Sequence, residues 1–201
     1  MGTSRAVAIV DGGGANIASL NFALERLGAT GVLTTDAARI RSATHVILPG
    51  VGAARAAMDR LQDAGLDTVI RQLTQPVLGI CLGLQLLFDA SEEDQATCLG
   101  IIRGRVRRFT PCAERPVPHM GWNQVRTLRA CALLTDVPED SYFYFVHSYA
   151  AEAGPAAVAV ADYGWPFAAV VEERNFVATQ FHPERSGDLG ARVLRNFLER
   201  Y

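Results

Sequence analysis

Apolar and polar residues alternate in blocks along the first ninety residues. Short apolar runs that end in proline- or glycine-containing turns and lead into helical spacing occur at 6–11, 45–50 and 76–80. After the first run, apolar residues recur at helical spacing at Ile17, Leu20, Leu24 and Leu27. Buried strands that alternate with amphipathic helices are typical of a parallel sheet covered by helices on both faces. We predict one further helix over 53–73 and another that starts near Leu82.

The second half of the chain shows short alternating runs separated by Pro, Gly and Asp. The clearest of these runs are 101–109, 141–150 and 157–164. They favour antiparallel strands appended to the core sheet. A final amphipathic helix follows Ser186, whose side chain we expect to cap it. The pattern therefore predicts an α/β fold with a mixed, mostly parallel central sheet, helices on both faces and extra antiparallel strands.

Length and charge narrow the class of protein. A chain of 201 residues without a repeat or linker favours a single domain over 1–201. The net charge is −2, and the one dense basic stretch, 103–109, alternates like an exposed strand, which disfavours nucleic-acid binding. No apolar run reaches the roughly 18 residues of a membrane span. The first ten residues lack the pattern of a secretory signal, so we expect a cytoplasmic protein.

The four cysteines have no paired spacing. Cys81, Cys98, Cys112 and Cys131 form no CxxC motif, and the four histidines do not cluster with them. Without a secretion signal, reduced thiols are favoured over disulfides. The same spacings disfavour a zinc site, and we expect neither a metal nor a cofactor. The sequence assigns no role beyond packing to the last three cysteines.

Cys81 has the most unusual setting of the four. It stands in Gly79-Ile80-Cys81-Leu82-Gly83, where a buried strand meets a helix. A nucleophile elbow has this pattern, because the tight turn strains the central residue and leaves room only for glycine at the flanks. A helix N-terminus also favours a thiolate. A small buried core cysteine explains the pentapeptide equally well at this point.

A thiolate nucleophile needs a base and an orienting group. His182 follows the predicted strand 176–181, and Glu184 stands two residues later across a proline. In extended backbone, residues two apart face the same side, so the carboxylate can hold the imidazole while its other nitrogen faces the thiol. An exposed ion pair is the alternative explanation. The end of a strand in an α/β sheet is where ligand sites lie.

Two backbone segments supply candidate oxyanion donors. One is the N–H of Leu82, directly after the nucleophile. The other is the Pro49-Gly50-Val51-Gly52 loop, which ends a neighbouring strand. This loop reads equally well as an ordinary strand-terminating turn.

Three motifs together, "GICLGLQLLF", "LPGVGA" and "FHPERS", resemble the class I (triad) glutamine amidotransferases over nearly the whole chain. The resemblance implies that a cysteine attacks the carboxamide of glutamine, ammonia leaves and water releases glutamate. The implied roles are Cys81 as nucleophile, His182 as general base and acid, Glu184 as orienting carboxylate, and Leu82 with the Gly50–Val51 peptide as oxyanion hole. The implied substrate contacts are Gln85, Gly52, Ser148 and Tyr149.

The motif "PHMGWN" at 118–123 is similar to one branch of this family. That branch delivers ammonia to a separate cyclase subunit, a (β/α)₈ barrel that makes imidazole glycerol phosphate in histidine biosynthesis. The segments 11–20 and 144–149 support the same branch. The resemblance implies a heterodimer, with partner-interface or signalling residues at His119, Trp122, Asn123 and Asn16. Gly12 and Arg103 depart from the residues common in this branch, and neither touches the triad.

Other functions stay open at this point. The chain could feed a different ammonia-using synthase, act as a stand-alone cysteine hydrolase, or be a catalytically silent binding module. The glycine-rich Pro49–Gly52 loop also suggests that one oxyanion N–H can change its orientation. We therefore expect weak glutaminase activity that rises when the cyclase binds its nucleotide.

Overall fold

The computed structural model describes residues 6–13 and 17–201. Elements of the first half are β1 Ala6–Val10, α1 Ile17–Arg26, β2 Thr30–Thr34, α2 Ala37–Ser42, β3 His45–Gly50, α3 Ala54–Asp63, α4 Leu66–Arg71, β4 Val77–Cys81, α5 Leu82–Gln85, β5 Ala90–Ser91 and β6 Ala96–Thr97. Those of the second half are β7 Arg105–Arg108, β8 His119–Thr127, β9 Ser141–His147, β10 Tyr149–Ala151, β11 Ala157–Asp162, β12 Pro166–Glu173, β13 Phe176–Thr179 and α6 Gly187–Arg200. Short 3₁₀ turns lie at Glu93–Gln95, Ala132–Leu134 and Pro183–Arg185.

Nine strands of the described residues form one mixed sheet in the order β2-β1-β3-β4-β13-β12-β11-β8-β9. The four pairings from β2 to β13 are parallel. The next four, from β13 to β9, are antiparallel. The predicted mixed α/β sheet is confirmed, and the appended antiparallel strands make up almost half of it.

The parallel half carries helices on both faces, as the pattern predicts. Successive residues of β1 point to opposite sides of the sheet. Val7 and Ile9 pack in a core cluster with residues of α1 and α6. Ala8 and Val10 pack in a second cluster with residues of α2, α3 and α4. A strand buried on both faces has no polar position, which explains its continuous apolar run.

Several predicted elements have different bounds in the structure. The expected helix 53–73 is two helices, because Gly65 lies between them with a left-handed φ of 65°. The expected strand 101–109 is confined to β7. The run 141–150 divides at Ser148 into β9 of the large sheet and β10, which pairs with β7 in a small second sheet.

Ser186 stands at the N-cap position of α6, but its side chain does not cap the helix. Its Oγ donates to the His182 carbonyl oxygen at 2.7 Å and accepts from the Tyr144 N–H at 3.0 Å. The capping prediction is therefore wrong. A tertiary contact to β9 takes the hydroxyl, and it holds the segment that follows His182 against that strand.

No helix among residues 6–13 and 17–201 is long and apolar enough to cross a membrane.

Candidate active site

Cys81 lies at a sharp turn between β4 and α5. Its backbone has φ 53° and ψ −108°, which is a strained conformation for a residue with a side chain. The residue is only 7% exposed, yet it forms part of a cavity wall, so its sulfur is not sealed in the interior. The geometry is that of the elbow predicted from the pentapeptide.

Close packing explains the two glycines that flank Cys81. A Cβ built on Gly83 would overlap the carbonyl oxygen of Leu48, and one built on Gly79 would lie 2.9 Å from both the Ala178 Cβ and the Gly83 oxygen. Real Cβ atoms do not approach so closely, because the van der Waals repulsion is prohibitive. The flanking glycines therefore let α5 lie directly against β3 and β13.

His182 and Glu184 lie together, as the spacing predicts. Glu184 Oε1 lies 2.8 Å from His182 Nδ1, and both side chains are almost fully buried. The other carboxylate oxygen, Oε2, is buried and finds no hydrogen-bond partner in the described part of the chain. The negative charge of Glu184 is therefore directed at the imidazole.

The surroundings of His182 decide its protonation. Burial opposes the charged form, but hydrogen bonds to Cys81 and Glu184 outweigh it and raise the pKa of His182 to about 10. The imidazole therefore carries a proton at neutral pH. An imidazolium beside a sulfur favours the thiolate, the reactive form of cysteine.

Glutamine side chains complete the surroundings of the sulfur. Gln180 Nε2 lies 3.6 Å from Cys81 Sγ. Its Oε1 accepts from Gln85 Nε2 at 3.1 Å, and the same Gln85 nitrogen donates to the Tyr149 carbonyl at 2.8 Å. Gln85 is thus buried rather than solvent-facing. Because its nitrogen is engaged within the chain, its carbonyl oxygen is the group it can offer to a ligand.

The sulfur faces a cavity of about 370 Å³, a volume in the range of small-molecule sites. The cavity brings together every residue predicted for the catalytic, oxyanion and substrate roles. Its walls are formed by Leu20, Pro49, Gly50, Val51, Gly52, Ile80, Cys81, Leu82, Gln85, Glu93, Pro118, Val146, His147, Ser148, Tyr149, His182, Glu184 and Arg185.

The candidate oxyanion loop follows β3. Gly50 pairs with Cys81 across the parallel strands, and a Cβ on Gly50 would lie 2.9 Å from the Leu82 Cβ. Val51 is exposed, and Gly52 has a left-handed φ of 90°. The loop therefore lies beside the turn that carries Cys81, and its role as an oxyanion donor stays a prediction.

Ser148 and Tyr149 line the cavity, but their carbonyl oxygens are engaged within the chain. The Ser148 oxygen accepts from the Phe109 N–H at 3.0 Å. The Tyr149 oxygen accepts from Gln85 and, at 2.8 Å, from His147 Nδ1. The contacts of these two residues with glutamine stay a prediction.

Two neutral histidines connect the cavity wall to β8. Since a carbonyl oxygen only accepts, His147 Nδ1 carries the proton, and Nε2 accepts from His119 Nδ1 at 3.0 Å. His119 Nε2 in turn lies 3.3 Å from Asn123 Nδ2. Burial lowers the pKa of His147 to about 3 and that of His119 to about 4. Both rings are therefore uncharged at neutral pH.

The residues predicted to contact a partner have different positions. Trp122 is 56% exposed on β8 and lies beside two further exposed side chains, Met120 and Tyr142. His119 is 4% exposed, so it offers a docking partner almost no surface, and its signalling alternative stays a prediction. Asn123 is half-buried and donates to the Asp162 carbonyl at 2.9 Å. Asn16 lies outside the described residues.

Sequence reasoning assigned no role to four polar residues of the site: His147, Gln180, Glu93 and Arg185. Gln180 precedes His182 by two residues, so the period of an extended strand predicts that both face the sulfur. Arg185 directly follows Glu184 and lies over the Tyr144 ring at 4.5 Å. Glu93 lies in a run of acidic residues that reads as an exposed loop, so no local signal distinguishes it.

The other cysteines, all of them within the described residues, are also free thiols. Burial raises the pKa of Cys98 to about 11, and burial also raises that of Cys131. Cys112 is exposed. Residues 6–13 and 17–201 contain no cluster of three His, Cys, Asp or Glu side chains that could hold a metal.

A family model described as "Glutamine amidotransferase class-I" matches residues 8–201. The chain belongs to the class I glutamine amidotransferase family. It is 53% identical over 193 residues to the imidazole glycerol phosphate synthase subunit HisH of Xylella fastidiosa (strain Temecula1 / ATCC 700964), with 96% of each chain covered. The HisH subunit of Xanthomonas euvesicatoria pv. vesicatoria (strain 85-10) is also 53% identical, with the same coverage.

Solved structures agree on the fold. The chain matches the crystal structure of a glutamine amidotransferase with a TM-score of 0.72 and 19% identity, covering 96% of this chain and 97% of the other. A glutamine amidotransferase from Thermotoga maritima also gives a TM-score of 0.72, with 15% identity and coverage of 99% and 98%. At these identities the likeness shows the fold alone.

Proposed function

We propose that this chain, as a single domain, hydrolyses glutamine to glutamate and ammonia and works as the glutaminase subunit of imidazole glycerol phosphate synthase. The observation that carries the chemistry is the sulfur of Cys81, held at a strained turn beside a protonated His182 and facing a cavity. The similarity to HisH subunits over 96% of the chain supports the branch. Location in the cytoplasm stays a prediction.

The proposed reaction has two halves. The Cys81 thiolate attacks the side-chain carboxamide carbon of glutamine, and the carbonyl oxygen takes the negative charge. The N–H of Leu82 and one N–H of the Gly50–Val51 segment are the proposed donors to that oxygen. His182 then gives its proton to the leaving nitrogen, so that the C–N bond breaks and ammonia departs, leaving a thioester.

Water completes the reaction by hydrolysing the thioester. His182, now neutral, takes a proton from the water as it attacks, and the C–S bond breaks to release glutamate and the Cys81 thiolate. Glu184 holds the imidazole by its Nδ1 throughout, so that Nε2 faces the sulfur. The proton taken from water restores the imidazolium for the next cycle.

Substrate recognition needs a counter-charge for the α-ammonium group of glutamine. Within the described cavity wall the acidic residues are Glu93 and Glu184, and Glu184 is committed to His182. We assign the ammonium contact to Glu93, a residue that the sequence did not indicate. Gln85 is proposed to accept from the substrate through its carbonyl oxygen.

Delivery of ammonia requires a partner beside the cavity. The exposed side chains of Met120, Trp122 and Tyr142 form an aromatic and apolar face on β8 and β9. Tyr144 and Val146 follow Tyr142 at alternate positions of β9, and Val146 and Arg185, which lies over the Tyr144 ring, form part of the cavity wall. We propose this face as the docking surface of a cyclase subunit with a (β/α)₈ barrel. Asn16 remains a proposed interface residue.

Steady-state glutamine hydrolysis with and without the cyclase and its nucleotide tests the function. We expect weak hydrolysis by the chain alone and a large increase in the complex. Equal turnover in both would refute the proposed activation. Hydrolysis without any association with a cyclase would favour a stand-alone cysteine hydrolase.

Labelling with 6-diazo-5-oxo-norleucine, an electrophile that mimics glutamine, tests the chemistry. We expect one equivalent on Cys81, located by peptide mass spectrometry, and none in Cys81→Ser. Absence of labelling even in the complex would favour a silent binding module.

A further inference from the structure

The turn that carries Glu93 has an unusual backbone conformation. Asp94 and Gln95 both have a left-handed φ of 53°, although neither is glycine. Side chains make this conformation unfavourable, and two such residues in succession are rare. A strained segment of this kind persists only where its surroundings hold it.

Arg55, in the first turn of α3, holds this segment. Its Nε donates to the Asp94 carbonyl at 2.8 Å, and its Nη2 donates to the Gln95 carbonyl at 2.8 Å. The planar guanidinium fork therefore binds the carbonyls of both left-handed residues at once. A lysine has no such fork and cannot reproduce the pair of bonds.

The neighbouring residue binds Glu93 itself. The N–H of Ala54 donates to Glu93 Oε2 at 2.8 Å. Residues 54 and 55 thus hold the Glu93 carboxylate and the backbone carbonyls of Asp94 and Gln95 at the beginning of α3. The candidate oxyanion loop ends at Gly52, two residues before this contact.

We propose that Arg55 is a positioning residue for substrate binding: it holds the 92–95 turn so that the Glu93 carboxylate meets the α-ammonium group of glutamine. The proposal rests on the proposed function. Arg55 is exposed and is not part of the cavity wall, so it acts through Glu93 and not by touching the substrate.

The test compares reagents with and without an α-ammonium group. In complex with the cyclase and its nucleotide, Arg55→Ala should raise KM for glutamine roughly 10- to 100-fold, the range for a lost hydrogen bond to a charged group. The turnover number should change far less, because the triad is intact. Inactivation by 6-diazo-5-oxo-norleucine should slow by the same factor as KM rises. Inactivation by iodoacetamide, which has no ammonium group, should keep its rate.

Further variants separate positioning from folding. Arg55→Lys keeps the positive charge but lacks the guanidinium fork, so it should restore only part of the lost affinity for glutamine. If Arg55→Ala does not fold, KM is measured on Arg55→Lys instead. Arg103→Ala removes an arginine whose side chain is 95% exposed and should change nothing. If Arg55 acts through Glu93, adding Arg55→Ala to Glu93→Gln should have little further effect on KM.

The measurements distinguish a failure of the Arg55 positioning role from a failure of the proposed glutaminase function. A wild-type complex that neither hydrolyses glutamine nor reacts with the diazo compound would overturn both proposals. An active wild type with unchanged KM in Arg55→Ala and Arg55→Lys would overturn the positioning role alone. Equal slowing with both electrophiles would also overturn it, since that result indicates a general distortion of the triad.

Discussion

Two buried histidine sites border the same cavity, and their surroundings differ. His182 has a carboxylate on one ring nitrogen and a sulfur near the other, and these raise its pKa to about 10 against the effect of burial. His147 has a carbonyl oxygen and a second histidine, and burial lowers its pKa to about 3. Burial therefore sets the charge of a histidine only where no anionic partner opposes it.

The difference follows the two halves of the sheet. His182 follows β13, the last strand of the parallel half, whose carboxyl edge also holds Cys81. His119 and His147 pair across β8 and β9 in the antiparallel half. The charged pair of His182 and Glu184 therefore follows a strand of the parallel half. In the antiparallel half, the hydrogen-bonded rings of His119 and His147 are neutral, and they pack against an aromatic cluster that includes Phe109 and Tyr163.

Removing the charged histidine should have the largest effect. His182→Asn should lower glutamine turnover by about 10²–10⁴, the usual contribution of a general acid and base. Alkylation of the variant by iodoacetamide at pH 6.5 should also slow, by up to about 100-fold, because the variant lacks the imidazolium that favours the reactive thiolate.

Alkylation of the same variant at high pH is its control. There the thiol ionises without help, so the rate should approach that of the wild type. Equal alkylation rates at pH 6.5 would show that His182 does not stabilise the thiolate.

Removing the carboxylate should have a smaller effect. Glu184→Gln keeps the shape but removes the charge that supports the imidazolium, and we expect about a 10²-fold loss of turnover. Titration of the His182 ring by NMR should show its pKa lower than in the wild type. An unchanged pKa would mean that the sulfur alone sustains the protonated ring.

Acid should destabilise the folded protein through the two neutral histidines, His119 and His147. Their folded pKa values lie below the unfolded value of about 6.5, so the stabilising contribution is present above pH 6.5 and is lost as pH falls towards 4. Each histidine should contribute a slope of about 1.4 kcal/mol per pH unit in this window. His147→Phe should remove about one histidine's share, measured by urea unfolding between pH 7 and 4.5.

His182 supplies the matched control for this slope. Because its folded pKa is raised, its contribution is complete below pH 6.5 and is lost only as pH rises towards 10. His182→Asn should therefore leave the acid slope unchanged and flatten the alkaline one. An acid slope that His147→Phe does not alter would contradict the neutral assignment.

Removing Asn123, the residue hydrogen-bonded to His119, should have the smallest effect on activity. Asn123→Ala removes the donor both to His119 and to the Asp162 carbonyl, and it should lower the free energy of unfolding by about 2 kcal/mol, the usual value of two hydrogen bonds. Glutamine turnover of the free chain should stay within a few-fold of the wild type. A loss of turnover as large as that of Glu184→Gln would instead place Asn123 in the catalytic machinery.

Local pattern was sufficient to predict the class of fold and to place the proposed nucleophile beside its proposed base. Each of these depends on residues close in sequence: glycines around Cys81, the two-residue spacing of His182 and Glu184, and apolar runs that alternate with helices. The helix break at Gly65 was missed because the apolar spacing continues on both sides of it. Ser186 was misassigned because a contact with β9 replaces its helix cap.

The sequence by itself determined how the core strands alternate with helices, and it indicated the proposed nucleophile and the proposed proton-transferring ring, since these are properties of neighbouring residues. Only the tertiary structure decided that Glu93 borders the cavity, that Arg55 holds its turn, and that two histidines stay neutral beside a charged one. Contacts between residues 28 to 40 positions apart, and the removal of water from them, set these features, and no local spacing encodes either.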